Sequence, residues 1–235
     1  MWMEALWLSL GAGLSITLGA FFASFEHIRP LWLEREFRHF VVAFGGGALI
    51  SAISLVLVPD GIAELSTMSA ALSFLAGGII FMSCDIWLSR KKSNASQLMA
   101  MMLDFVPEAI VLGAVISTER SKAILIALII AAQNFPEGFS AFCEMRNGNK
   151  SQRTLLMWFL LIGISGPIYA LLGVFIFADM RQTLGILMLF CAGGILYLTF
   201  QDIAPQAKLQ KHWLPTSGAI LGFLVGLVGH MMTQS

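Results

Sequence analysis

The strongest constraint in this chain is a run of about 20 apolar residues that recurs eight times. The stretches span roughly 4–24, 39–59, 69–88, 97–117, 123–144, 154–177, 183–203 and 214–233. Twenty residues of α-helix reach about 30 Å, the hydrocarbon thickness of a bilayer. Inside lipid every backbone N–H and C=O needs an internal partner, and a long apolar segment finds them only as a helix. The expectation is an all-α, polytopic membrane protein of eight transmembrane helices. Residues 1–235 then form a single transmembrane domain joined by short connectors. Composition closes the alternatives, with 57% of residues hydrophobic and only 12% charged. A soluble domain carries about 25% charged residues, and a disordered chain has low hydrophobicity. A formal net charge of zero gives no basic field, so no nucleic acid is expected as partner. Cys84, Cys143 and Cys191 are scattered through apolar stretches and form neither a disulfide framework nor a CxxC knuckle. The opening Met1-Trp2-Met3-Glu4 lacks the basic region of a cleaved signal, so the first stretch reads as a retained span.

Basic residues orient the helices. The connectors after helices 1, 3, 5 and 7 hold Arg29, Arg35, Arg38, Arg90, Lys91, Lys92, Arg146, Lys150, Arg153, Lys208 and Lys211. The opposite side holds only Arg120, Lys122 and Arg181. Basic loops stay cytoplasmic, so both termini are expected on the extracytoplasmic side.

Two internal echoes suggest symmetry. Phe44, Gly47 and Pro59 in FGGGALISAISLVLVPDG recur 146 residues later as Phe190, Gly193 and Pro205 in FCAGGILYLTFQDIAPQA. The sequence DFVPEA at 104–109 is echoed by QNFPEG at 133–138. Each echo joins one even-numbered and one odd-numbered helix, which cross the membrane in opposite directions. Helices 1–3 then repeat, inverted, as helices 6–8 around a 4/5 pair. This 3+2+3 inverted repeat is a transporter plan, with the site near mid-membrane where the repeats meet.

The chemistry lies in helices 4 and 5. Asp104 and Glu108 are four residues apart, as are Gln133 and Glu137, so each pair occupies one helix face. Asn134 adds a second amide. Pro107 and Pro136 remove one backbone hydrogen bond each and should free the carbonyls of Leu103 and Ala132 beside the carboxylates. Three carboxylates at mid-depth with no Lys or Arg beside them cannot all stay ionised in a dry site. They bind a cation, hold protons, or meet water. A divalent metal fits best, as transported substrate rather than as a bound cofactor. An all-oxygen set of Asp104, Glu108, Gln133, Asn134 and Glu137 suits hard and intermediate metals such as Mn²⁺ or Fe²⁺ as well as Zn²⁺ or Cd²⁺. His27, His39, His212 and His230 lie away from mid-depth and offer no imidazole ligand. Asp60 and Glu64 beyond helix 2 could attract cations at the outer mouth, and Asp85, Glu144 and Asp202 could line a path out to the cytoplasm. Ordinary solvated or helix-end residues remain the alternative for both sets.

These residues resemble the ZIP (ZRT/IRT-like) family of metal transporters, especially its bacterial branch. The family shows H-N-x-P-E-G in helix 4 and Q-N/D-x-P-E-G in helix 5. Gln133-Asn134-Phe135-Pro136-Glu137-Gly138 matches the second in full, while only Pro107 and Glu108 match the first. FCAGGILYLTFQDIAPQAK and SFLAGGIIFMSCD resemble the family's helices 7 and 3. The resemblance implies divalent metal uptake into the cytoplasm, an integral protein of a bacterial cytoplasmic (inner) membrane, and often a homodimer. It also implies an elevator-like motion of helices 1, 4, 5 and 6 against 2, 3, 7 and 8, and in bacterial relatives a two-metal site. Five departures stand out. Asp104 replaces His, Phe105 replaces a metal-binding Asn, Gly166 stands before Pro167 where Glu is frequent, and Gln206 and Lys208 replace Glu and His. The expectation is therefore one metal per chain on Asp104, Glu108, Gln133 and Glu137, with Asn134 peripheral. No nucleotide-binding P-loop is present, so ion gradients would drive transport. A non-transporting metal sensor or binding protein on the same fold is the alternative. An enzyme is not expected, since no H-E-x-x-H motif or obvious nucleophile is present.

Overall fold

The computed structural model describes the backbone of residues 1–25, 31–90, 94–146, 151–208 and 213–234, and of these the side chains of all but 31–35, 94–97 and 234. Every element among them is helical. Eight helices are long and apolar enough to cross a membrane: α1 (Trp2–Ser24), α2 (Glu36–Ile62), α3 (Thr67–Ser89), α4 (Leu98–Ile116), α5 (Arg120–Met145), α6 (Gln152–Phe177), α7 (Arg181–Ala207) and α8 (Leu214–Thr233). Their 19 to 27 residues correspond to roughly 29–40 Å at 1.5 Å per residue, so each spans the bilayer core. The chain is an integral membrane protein. Of the residues used for orientation, Arg29, Lys91, Lys92, Lys150, Lys211, His27 and His212 lie outside the described residues, as does the Arg35 side chain.

Local chemistry explains where the helices start and how they bend. Ser66 and Ser151 cap α3 and α6, their hydroxyls accepting from the backbone N–H of Ser69 and Thr154. The helix of α2 begins early, at Leu31, because a polar segment precedes its apolar core. At the far end α2 passes through Pro59, and α7 passes through Pro205, where the sequence suggested that both would stop. Each crosses its proline by widening into a single π-helical turn, Ile53–Leu57 in α2 and Thr199–Ile203 in α7. Proline has no N–H and clashes with the carbonyl four residues back. The π turn shifts the pairing, so Val58 N–H donates to Ile53 and Ala204 N–H to Thr199. These two turns are 146 residues apart, the spacing of the Phe, Gly and Pro echo. The repeat therefore extends from sequence to backbone geometry.

Packing sorts the helices into two groups. In the first, α1 packs on α5 and α6, and α4 packs on α5 and α6. In the second, α2 packs on α7 and α8, and α3 packs on α7. Exchanging 1 with 6, 2 with 7, 3 with 8 and 4 with 5 leaves this pattern unchanged, as an inverted repeat requires. Glycines set the closest approaches. A Cβ on Gly77 of α3 would run into the Phe190 carbonyl, and one on Gly193 of α7 into the Phe74 carbonyl. Gly77 and Gly193 between α3 and α7, and Gly47, Gly218 and Gly222 between α2 and α8, clamp helices inside one group, whereas Gly229 of α8 packs against Leu125 of α5. Buried hydroxyls satisfy themselves within their own helix, as Ser51 does on Ala48 at 2.6 Å and Thr199 on Ile195 at 2.8 Å. α3 and α8 bury the smallest share of their residues and α2 the largest. The first two present apolar faces to lipid, while α2, α4, α5 and α7 meet at the centre.

Candidate metal site

Antiparallel packing of α4 on α5 brings the two Pro-Glu motifs face to face. Each motif's first polar residue meets the glutamate of the other. Gln133 Nε2 donates to both carboxylate oxygens of Glu108, each at 2.6 Å. The carboxyl groups of Asp104 and Glu137 lie within hydrogen-bonding reach of each other. Phe105 N–H donates to Asp104 Oδ1 at 2.9 Å and fixes that side chain. Asp104, Glu108 and Gln133 are buried, and Glu137 is partly exposed.

Gln133 Oε1 has no hydrogen-bond partner although Gln133 is fully buried. An orphaned buried acceptor costs about 1–3 kcal/mol, and a cation or a water molecule would satisfy it. The carboxylates are not yet gathered for that task. Among the described residues no three His, Cys, Asp or Glu side chains converge closely enough to hold a metal ion.

Asn134 points elsewhere. Its amide donates to the Ala12 carbonyl of α1 at 3.0 Å, locking α5 to α1. Phe105, at the equivalent place in the α4 motif, also faces this group. Its ring is buried, and its tip lies where Cβ atoms on Gly13 of α1 and Gly166 of α6 would have to go. A Cβ on Gly166 would sit 2.9 Å from that ring and 2.8 Å from the Ser9 carbonyl oxygen. The Phe105 and Gly166 departures are thus one packing unit: the ring fills the space that a side chain at 166 would need.

A cavity leads from the carboxylates toward the end of the bundle carrying the basic connectors. It is lined by Asp104, Pro136, Glu137, Ser140, Glu144, Asp202 and Gln206 among others, and encloses about 750 Å³ including its open mouth. Ser140, Glu144 and Gln206 also line an adjoining vestibule with Arg38, His39 and Cys143. Glu144 and Asp202 therefore lie on this route. Asp85 does not line it; it accepts from the Tyr197 hydroxyl at 2.9 Å behind the wall. Toward the other end, Glu108 meets a small apolar cavity bounded by Val56, Leu57, Val111, Ile126, Ile129 and Ile130, all buried. The site meets the open cavity toward the basic-connector end and buried apolar residues toward the end bearing the termini.

At that shut end the sequence expectation needs correction. Asp60 lies within the last turn of α2, not in a loop beyond it, because the helix survives Pro59. It is also paired with a cation, Lys122, at 3.1 Å, and Glu64 faces Arg181 at 3.5 Å. Tertiary folding brings these cations from other connectors, so the absence of a basic neighbour in sequence did not predict free carboxylates. Ser140 was not singled out from the sequence. It stands three residues after Glu137 and four before Glu144, so helical spacing alone would have placed it on the cavity face.

A search of curated proteins finds no match. The model of the family described as "ZIP Zinc transporter" matches residues 88–232, well over half of the chain, including both Pro-Glu motifs and the second π turn. The chain belongs to the ZIP zinc transporter family and is, by that membership, a divalent metal transporter.

Proposed function

We propose that this protein carries divalent transition-metal cations, zinc, iron, manganese or cadmium, into the cytoplasm through the α4/α5 site. Asp104, Glu108, Gln133 and Glu137 hold one metal per chain, and Asn134 holds α5 against α1. The observation that carries this reading is the orphaned Oε1 of Gln133 beside Glu108, at the head of a cavity lined by Glu137, Glu144 and Asp202. In the conformation described, the Gln133 amide donates to both oxygens of Glu108. A metal takes the place of that donor once the amide turns Oε1 toward it. Metal ligands must be deprotonated, so metal binding and proton release are linked. Packing of Phe105 against Gly166 supports a single metal, because a phenyl ring stands where a second ligand cluster would extend. With the basic connectors in the cytoplasm, the open cavity faces inward and the structure is the releasing conformation. Direction follows from the membrane potential and the metal gradient.

Equilibrium metal binding to the purified protein tests this site. The expected result is one Zn²⁺ or Mn²⁺ per chain, with proton release, and loss of binding in Glu108→Ala. Two metals per chain at saturation, or undiminished binding in that variant, would contradict it. Stoichiometric binding without flux would instead favour the sensor or binding-protein reading.

A further inference from the structure

We propose that the Lys122–Asp60 ion pair is a latch that holds the terminus-bearing end of the bundle shut, so that opening the site to the outside requires it to break. Lys122 is on α5 and Asp60 on α2, so the pair ties the first helix group to the second. Both Asp60 oxygens lie 3.1 Å from Nζ. Among the described residues, the other two ion pairs between segments at this end stay inside a group: Glu4 of α1 meets Arg120 of α5 at 2.8 Å, and Glu64 after α2 meets Arg181 of α7 at 3.5 Å. The bridging pair is also the best shielded. Its side chains are 27% and 25% exposed, against 71% and 41% for Arg120 and Glu4 and 74% and 46% for Arg181 and Glu64. Less water means less screening, so this pair carries more of its Coulomb attraction into the closed state. Glu119, 3.1 Å from Nζ, sits at the start of α5 itself. It moves with Lys122 and gives no linkage between groups. Directly below the pair lie Val56 of α2 and Ile126 of α5, which bound the apolar plug above Glu108. A latch across the same two helices that form the plug is placed to hold that plug closed.

The latch rests on the reading that the two groups move past each other, and its test needs no metal. Cys84, Cys143 and Cys191 are replaced by Ser, and Ile126→Cys is introduced as a reporter in the plug. A membrane-impermeant maleimide is then applied from the terminus side of reconstituted vesicles. Lys122→Gln and Asp60→Asn should each raise the labelling rate about fivefold, in line with one partly shielded ion pair. The charge-exchanged Asp60→Lys with Lys122→Asp should bring it back toward the parent rate, which a merely damaged fold would not do. Val56→Cys, a reporter in the other group, should give the same ranking. Unchanged or slower labelling in both single variants would overturn the latch, and so would an equal rise in Glu119→Gln. Absence of metal flux in the parent would fault the transport reading and leave the labelling result standing.

Discussion

The side-chain amide of Gln133 donates to both oxygens of Glu108 and leaves its own Oε1 without a donor. The sequence showed that Gln133 and Glu137 share a helix face, but not that Gln133 would meet Glu108 and Glu137 would meet Asp104. That crossed pairing follows from the antiparallel contact of α4 and α5, which no local pattern encodes. Replacing Asp104 by His, the residue found there in the wider family, removes a carboxylate and adds an imidazole. Imidazole favours Zn²⁺ over Mn²⁺, so Asp104→His should raise the zinc-to-manganese binding ratio on the order of tenfold. Competition titration checks this, and an unchanged ratio would place Asp104 outside the ligand set. The Phe105–Gly166 contact could not be read from either residue alone, since they are 61 positions apart. Gly166→Ala should destabilise the protein by about 1–3 kcal/mol through overpacking against Phe105 and the Ser9 carbonyl. Thermal unfolding in detergent, compared with Gly11→Ala, where nothing lies within 4 Å, isolates the steric effect from helix propensity.

Helix number was legible because lipid enforces one structure on a long apolar run. The membrane-facing ends of α1, α3, α5, α6 and α8 fall close to the hydropathy limits for the same reason. The hydropathy limits at 59 and 203 fell a few residues short for α2 and α7, which run on to Ile62 and Ala207. In lipid a helix is continued where it can be, and one π turn is cheaper than bare carbonyls. The short limit put Asp60 in a loop. The recurring Phe, Gly and Pro spacing coincides with the matching π turns of these two helices. Gly193 belongs to that echo and lets α7 touch α3. Gly193→Val should force the pair apart and abolish a folded, monodisperse protein, whereas Leu72→Ala on the exposed side of α3 should leave gel filtration unchanged.

The two helix groups meet along α2, α4, α5 and α7, and Asp104, Glu108 and Glu137 line cavities on that boundary, while Asn134 turns to α1. The cavity from Glu137 past Ser140 to Glu144 opens toward the basic-connector end, and buried apolar residues stand toward the other. A cysteine at 140 should thus react with a polar thiol reagent from the basic-connector side, slowly or not at all from the other, and bound metal should slow it further. Equal reactivity from both sides would mean that the apolar plug does not seal. The inverted repeat and the number of spans could be read from the sequence because they repeat. Which end is open could not, because it depends on plug residues and ion pairs from four separate segments. Metal flux into proteoliposomes tests the central claim most directly, with Zn²⁺, Fe²⁺, Mn²⁺ and Cd²⁺ offered to the parent protein and to Glu108→Ala and Glu137→Ala. Saturable flux in the parent, reduced at least tenfold in both variants, is the predicted result; flux that survives both substitutions would contradict a transport site on α4 and α5.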